Sequence, residues 1–306
     1  MHSRFVLLGS ITIAMLGAAS AACAAESQRC EELTRRFEAA KPQITAMELS
    51  LTLFTAVDGD CIALTTALLD GGASLDSRDR LGARPLSHAA RSGHRDMVEL
   101  MLARGASIDA RNLAGATALY FAAERGHPAV AQRLIERGAD VNLAGRSGIT
   151  PVAAAAYAGS DAIVEALLAH GADERAPDQT GKLPLIYAAA RGRLDIVKRL
   201  LARNIDINTR YPNELTLLMW ASGPDEKTPE AQAIEVVSYL LDAGAHIDDR
   251  DDRGRSALMI AAEGDHAGIV DLLLRRGADS SLKDKTGKRA ADLTVLSSLR
   301  ERLTPP

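Results

Sequence analysis

The chain has 306 residues, 47% apolar, 25% charged and only 3% aromatic, a balance that excludes a disordered or collagen-like polymer and supplies aliphatic material for a large core. Its 36 Lys and Arg face 40 Asp and Glu, a formal net charge of -4, so there is no basic excess to neutralise a phosphate backbone, and nucleic acid is not expected as a partner. Length alone suggests about two domains, but a repeat array can run longer as one unit.

Arg4 is the only formal charge in the first 25 residues, Phe5 to Leu16 is mostly apolar, and small residues follow from Gly17 to Ala25. This is the build of a secretory signal, and the small-x-small rule places cleavage after Ala24 or after Ala25. Residues 1–25 are therefore read as a signal peptide, and the mature chain is expected in the periplasm or outside the cell. Gly9, Ser10 and Thr12 speak against an uncleaved anchor. Ser20, where lipoprotein signals usually carry Leu, speaks against lipid attachment at Cys23. No other stretch approaches the roughly 18 apolar residues that span a bilayer, so no membrane insertion is expected after cleavage.

Cleavage would leave two cysteines, Cys30 and Cys61, in an oxidising compartment. Two arrangements suit them. A disulfide would tie an N-terminal helical cap, residues 26–46 with its helix over Ser27–Ala40, to the first repeat unit; the other arrangement is two buried free thiols. Closing a loop of about 32 residues is worth about 3.5 kcal/mol in the chain-entropy picture. Neither Cys lies in a C-x-x-C or beside a His, which leaves redox and haem-attachment roles unsupported.

From residue 72 onward the sequence repeats. Gly72-Ala73, Gly105-Ala106, Gly138-Ala139 and Gly171-Ala172 follow one another at 33 residues, as Gly277-Ala278 follows Gly244-Ala245. Asn204 stands one period after Gly171, and Asn is the non-glycine residue that best tolerates the left-handed backbone. From Asn204 to Gly244 is 40 residues, one period with 7 inserted. A fixed period of this length marks a solenoid, in which each unit buries its apolar face only by stacking on its neighbours.

Within a unit, turn chemistry alternates with helical spacing. Thr150 is a good N-cap and Pro151 suits the first helical position; Pro85 and Pro184 occupy the same point in their units. Gly93, Gly126, Gly159 and Gly192 each follow a short first helix, as left-handed caps would. The second helix carries Met97, Val98, Leu100, Met101 and Leu102 in one unit and Ile269, Val270, Leu272, Leu273 and Leu274 in another. Asp79 to Gly82 and Asp178 to Gly181 then place Asp at the first and Gly at the fourth position of a turn. Each unit is predicted as an extended turn plus two antiparallel helices, an all-α chain.

These residues resemble the ankyrin-repeat family, whose pattern is approximately D-x-x-G-x-T-P-L-H-x-A-A-x-x-G-H-x-x-I-V-x-L-L-L-x-x-G-A-D-x-N. The resemblance covers residues 47–303, as about seven units and a C-terminal capping one, and is clearest over Arg80 to Asp109, Thr117 to Asn142 and Arg253 to Asp279. It implies an ankyrin-repeat solenoid whose first helices line a concave palm, whose second helices form the convex back, and whose turn tips project as fingers. It also implies binding of a protein partner through fingers and palm, without catalysis, cofactor or metal, by a chain expected to be a monomer. Four departures stand out: Glu214 in place of the turn glycine of the sixth unit, Asp265-His266 in place of Gly-His in the seventh, Met219-Trp220 where the family often has His and a small aliphatic, and the insertion around Gly223 to Glu230. Two prolines and four charges stop that insertion from continuing a helix; it reads as a tolerated surface loop or as a functional one.

No H-E-x-x-H, Walker phosphate loop, G-x-S-x-G, G-x-G-x-x-G or EF-hand sequence occurs. His94, His127 and, at the equivalent place, His266 read as scaffold, because stacked helices about 8 to 10 Å apart cannot bring equivalent side chains to a common metal. The carboxylates Asp79, Asp109, Asp178 and Asp251 fall at turn positions, where capping accounts for them. Carried over through the register, the finger and palm positions are Arg80, Leu81 and Arg91; Leu113, Glu124 and Arg125; Arg146 and Tyr157; Gln179, Lys182 and Arg191; Tyr211; and Asp252, Arg253, Arg255 and Glu263. Arg and Tyr recur there, which points to an acidic or polar protein partner at the central units, although any solvated face would carry charges. Trp220 and Tyr120 are expected to pack against neighbouring helices. The role implied is accessory or scaffold to an envelope enzyme or stress response; the alternative is an immunity protein neutralising a periplasmic toxin. A pocket around Trp220 with Asp225, Glu226 and Glu230 is the one enzymatic arrangement conceivable, and no motif supports it.

Overall fold

The computed structural model describes residues 27–41 and 43–304; the leader, both cleavage points and Cys23 lie outside the described residues. Among the described residues there is helix and turn but no strand. Helix α1 covers 27–40. Eight helix pairs follow: α2 (Ala46–Asp58) with α3 (Ile62–Asp70), α4 (Pro85–Ser92) with α5 (Arg95–Ala103), α6 (Ala118–Arg125) with α7 (Pro128–Glu136), and α8 (Pro151–Ala158) with α9 (Asp161–Ala169). The remaining four pairs are α10 (Pro184–Ala190) with α11 (Leu194–Leu201), α12 (Leu217–Ser222) with α13 (Glu230–Asp242), α14 (Ala257–Glu263) with α15 (Ala267–Arg275), and α16 (Ala290–Leu293) with α17 (Ser297–Leu303).

The first helices begin where the sequence offers a cap. The hydroxyls of Thr117, Thr150, Thr216 and Ser256 accept hydrogen bonds from the backbone N–H three residues on, and Pro85, Pro151 and Pro184 sit at the first helical position, where no N–H is needed. Where other units use glycine, Asn204, Glu214 and Asp265 adopt the same left-handed backbone, at φ 60°, 59° and 55°. Glu214 and Asp265 do so at a steric cost of order 1 kcal/mol each.

Packing explains the curvature. Each first helix from α4 to α10 buries a pair of alanines at one register position, Ala89-Ala90, Ala122-Ala123, Ala155-Ala156 and Ala188-Ala189. The second helices bury larger groups, such as Met97, Val98 and Met101 in α5 and Ile196, Val197 and Leu200 in α11. Small residues let the first helices approach one another, and through α12 successive first helices touch more extensively than successive second helices. The stack therefore bends with its first helices inside.

Polar contacts fix the register between units. His94 and His127 each place Nε2 against a carbonyl at the end of the preceding first helix, Asp58 O at 3.2 Å and Arg91 O at 2.9 Å. The back is laced by ion pairs between neighbouring second helices or the residues just after them: Arg104–Asp70, Arg133–Glu99, Arg199–Asp161, Arg276–Asp242 and Arg302–Asp271, at 2.5 to 2.9 Å. Cys30 and Cys61 are joined as a disulfide with their Cα atoms 5.4 Å apart, and Phe37 of α1 is buried in the same core, so α1 closes the N-terminal end of the stack.

Candidate partner-binding surface

The fingers are built by carboxylates that cap their own turns. Asp79 Oδ1 accepts from the N–H groups of Leu81 and Ala83, both at 2.8 Å; Asp178 does the same for Thr180 and Lys182 and Asp251 for Arg253 and Arg255. Burial alone would raise the Asp79 and Asp178 carboxyls, but these hydrogen bonds, with those from His88 and Tyr187, hold both below the ordinary range. Neighbouring fingertips are then tied through the backbone, Leu113 N to Leu81 O at 3.0 Å, Gln179 N to Ser147 O at 2.9 Å and Asp252 N to Asn213 O at 3.0 Å. At the sixth finger Pro212 has no N–H to offer. Its ring rests on Gly181, where a Cβ would stand 2.5 Å from Pro212 Cγ, so that close approach needs glycine.

Six of the side chains placed by register meet. Leu81, Arg91, Leu113, Glu124, Arg125 and Arg146 line one groove of about 330 Å³ between the second, third and fourth units, with Tyr120 and Phe121 in its floor. Leu81 and Leu113 are 64% and 79% exposed and stand side by side, so together they form an apolar patch rather than scattered single groups. Glu124 lies between two guanidiniums, 3.8 Å from Arg125 and 3.5 Å from Arg146, and accepts a hydrogen bond from the Tyr120 hydroxyl at 3.4 Å. Burial, then the Glu124 charge, raises the Tyr120 phenol above its usual pKa. Arg91 is 3.9 Å from Asp58.

The next half of the palm is different. The Arg191 guanidinium lies 4.7 Å from the Tyr157 ring centroid, donates to Asp225 and, at 3.2 Å, to Thr228, and its side chain is only 12% exposed. Tyr157 meets Tyr187 edge-on at 6.1 Å, and the Tyr187 hydroxyl donates to Asp178 at 2.5 Å. Lys182 holds its ammonium 5.1 Å from the Trp220 ring centroid. The insertion is thus packed into the palm, with Pro224 and Thr228 buried.

Several of the register-derived positions are buried, or engaged within the fold, or lie outside the groove. Tyr211 is 8% exposed and sits in the core, because the turn that Pro212 forces folds the phenol inward; burial, then the charge of Asp206, pushes its pKa up to about 12. Arg191 and Arg255 are turned to internal partners, Arg255 to Glu263 and, at 3.5 Å, to Asp284, so Glu263 is engaged as well. Arg253 reaches back to Asp251 in its own turn. Arg80, Gln179 and Asp252 are exposed at fingertips but stand outside the groove. The position of Phe121 in the groove floor carried no signal in the sequence, since its register matches ordinary helix surface. In the sixth unit, Asp225 is taken by Arg191, and Glu230 accepts from Gly268 N at 2.8 Å, so two of the three carboxylates of the conceivable pocket serve the fold.

The family model for ankyrin repeats matches three times, over residues 53–145, 142–211 and 210–284. The chain belongs to the ankyrin-repeat family. It is similar in structure to the ankyrin repeat domain of human ASB11, at a TM-score of 0.63 and 28% identity, covering 73% of this chain and 99% of that one. A stretch of 61 residues is 41% identical to the human transient receptor potential cation channel subfamily A member 1, which is 20% of this chain but 6% of the channel. The ankyrin solenoid is an interaction scaffold, generally without catalysis, and ankyrin repeats are modules for binding other proteins. Among the described residues no helix is long and apolar enough to cross a membrane.

Proposed function

We propose that this ankyrin protein is exported and holds a protein partner in the fingers and palm of its second to fourth units, acting without catalysis as an accessory or scaffold to an envelope enzyme. The observation that carries the reading is the convergence of Leu81, Arg91, Leu113, Glu124, Arg125 and Arg146 on one groove. They are far apart in sequence, are related by register alone, and include two leucines whose exposure nothing in the fold requires. The signal-like leader and the pairing of Cys30 with Cys61 support an oxidising compartment.

Site-specific photocrosslinking tests the surface. A photoreactive residue at Leu113 should give one discrete adduct in cells of the source organism, while the same residue at Gln132, exposed on α7 at the back, should not. Adducts from Gln132 and none from Leu113 would move the binding face to the back. Mass spectrometry of the native protein tests export: the mature chain should begin at Ala25 or Glu26, and an intact leader would reject the proposed compartment.

A further inference from the structure

We infer that the groove between the second and fourth units takes an extended acidic segment of a protein, whose carboxylates meet Arg125 and Arg146 while an aliphatic side chain packs against Leu81 and Leu113. This rests on the partner-binding reading above and adds the chemistry of what is bound. The first support is a local inversion of sign: the chain as a whole is at -4, yet three arginines and one glutamate line the groove. Such a patch draws an anionic segment in while the rest of the surface repels large polyanions.

The second support is how these charges are paired. On the back, five arginines each meet a carboxylate of the neighbouring unit at 2.5 to 2.9 Å, the distance of good charge-assisted hydrogen bonds. In the groove the separations are 3.5, 3.8 and 3.9 Å. Glu124 is shared by two guanidiniums, each with five N–H donors, so one carboxylate leaves most of their capacity unused. A second and third carboxylate from outside would complete them.

The third support is apolar. Leu81 and Leu113 project from fingertips already joined by the 3.0 Å hydrogen bond between their backbones, so they form a fixed pair and little ordering entropy is lost when an aliphatic group packs against them. A single-stranded nucleic acid is the competing anionic occupant. It would need a series of aromatic faces on which successive bases could stack, whereas the Tyr120 ring is buried and Phe121 alone offers a partly exposed ring in the groove.

The test uses the full mature chain and short fluorescent peptides followed by anisotropy. A peptide alternating Glu with Leu should bind, and R125A/R146A and L81S/L113S should each weaken it by about tenfold or more, as should a rise from low to high salt for the arginine term. Thermal melts of these variants, all altered at exposed positions, confirm that they are folded. Equal binding of a Lys-Leu peptide, of a Glu-Ser peptide or of an oligothymidylate would overturn the inference, and so would no binding of the Glu-Leu peptide at millimolar concentration. A Leu113 adduct with a native partner, together with failure of the peptide, would retain the partner-binding reading and reject this chemistry; failure of both would reject both.

Discussion

Arg125 and Arg191 stand two periods apart in one register, at the ends of the first helices of the third and fifth units, and meet opposite surroundings. The Arg125 side chain is 58% exposed and shares Glu124 loosely with Arg146. Arg191 lies over Tyr157 and is fastened to Asp225 and Thr228 of the insertion. The backbone scaffold under both is the same; what differs is that the period is kept around Arg125 and broken after Arg191. In this solenoid the palm stays open where the repeat is regular and is filled by the protein's own chain where it is not. A register therefore says where a side chain starts, and the neighbouring insertion decides whether a partner can reach it.

The two halves are also fastened differently, and this sets the largest expected effect. The open half is closed off at its N-terminal side by α1 and the Cys30–Cys61 bridge, whereas the other half relies on side-chain contacts. Reducing the disulfide, or replacing it in C30S/C61S, should lower stability by up to about 3.5 kcal/mol in the chain-entropy picture, read as a lower urea midpoint. Identical midpoints with and without reductant would mean that the two thiols are not bonded in solution.

The second expectation addresses the two arginines directly. R191A removes a stacked, largely buried guanidinium and leaves Asp225 to the Thr228 hydroxyl and the Lys227 N–H alone, so it should destabilise by about 2 kcal/mol. R125A removes an exposed, loosely paired group and should stay within about 0.5 kcal/mol of the parent. Urea melts of both variants side by side test this, and equal losses would show that the two halves of the palm are held alike.

Legibility in the sequence divides along the same line. The 33-residue spacing located the helix pairs because turn glycines, Thr, Ser and Pro at helix starts, and alanine pairs are local signals that recur in most units. The groove was legible for a related reason: Leu81, Leu113 and Arg146 stand one or two residues before the turn glycines Gly82, Gly115 and Gly148, and Arg91, Glu124 and Arg125 end first helices, so register alone placed them. Arg191, Tyr211 and Arg255 were not legible as internal residues. Their surroundings depend on where the insertion runs, on the turn that Pro212 imposes, and on the reach of a guanidinium toward Glu263 and Asp284, which are long-range facts that no local spacing encodes.

Acid should loosen the stack, the filled half included. Burial by itself would raise the Asp225 carboxyl, but the Thr228 hydroxyl and the Arg191 charge hold it below the ordinary range, and the cap hydrogen bonds do likewise for Asp178. A carboxyl depressed in the folded state gives stability that is present above its unfolded pKa, near 4, and is lost as pH falls below that value. Melting temperature should therefore hold between pH 7 and about 5 and fall from about 4 downward. D225N should flatten part of that fall, by no more than about 1 kcal/mol because the group is half exposed and screened by solvent. An unchanged acid limb in D225N would show that the Arg191–Asp225 contact contributes nothing at neutral pH.

The smallest expected effect is the most informative about the open half. One face of Leu113 rests on the finger, with its Cγ so placed that a Cβ on Gly82 would come within 2.9 Å, yet 79% of the residue remains in contact with solvent. Little apolar area is removed from water there on folding, so L113S should change stability by less than about 0.5 kcal/mol, and L81S/L113S should melt within experimental error of the parent. Leucines that the fold does not need would leave this face free for the proposed partner. If the double variant lost about 1 kcal/mol or more by the same urea measurement, the leucines would instead be packing the finger ladder, and the open groove would differ from the filled half only in which part of its own chain it holds in place.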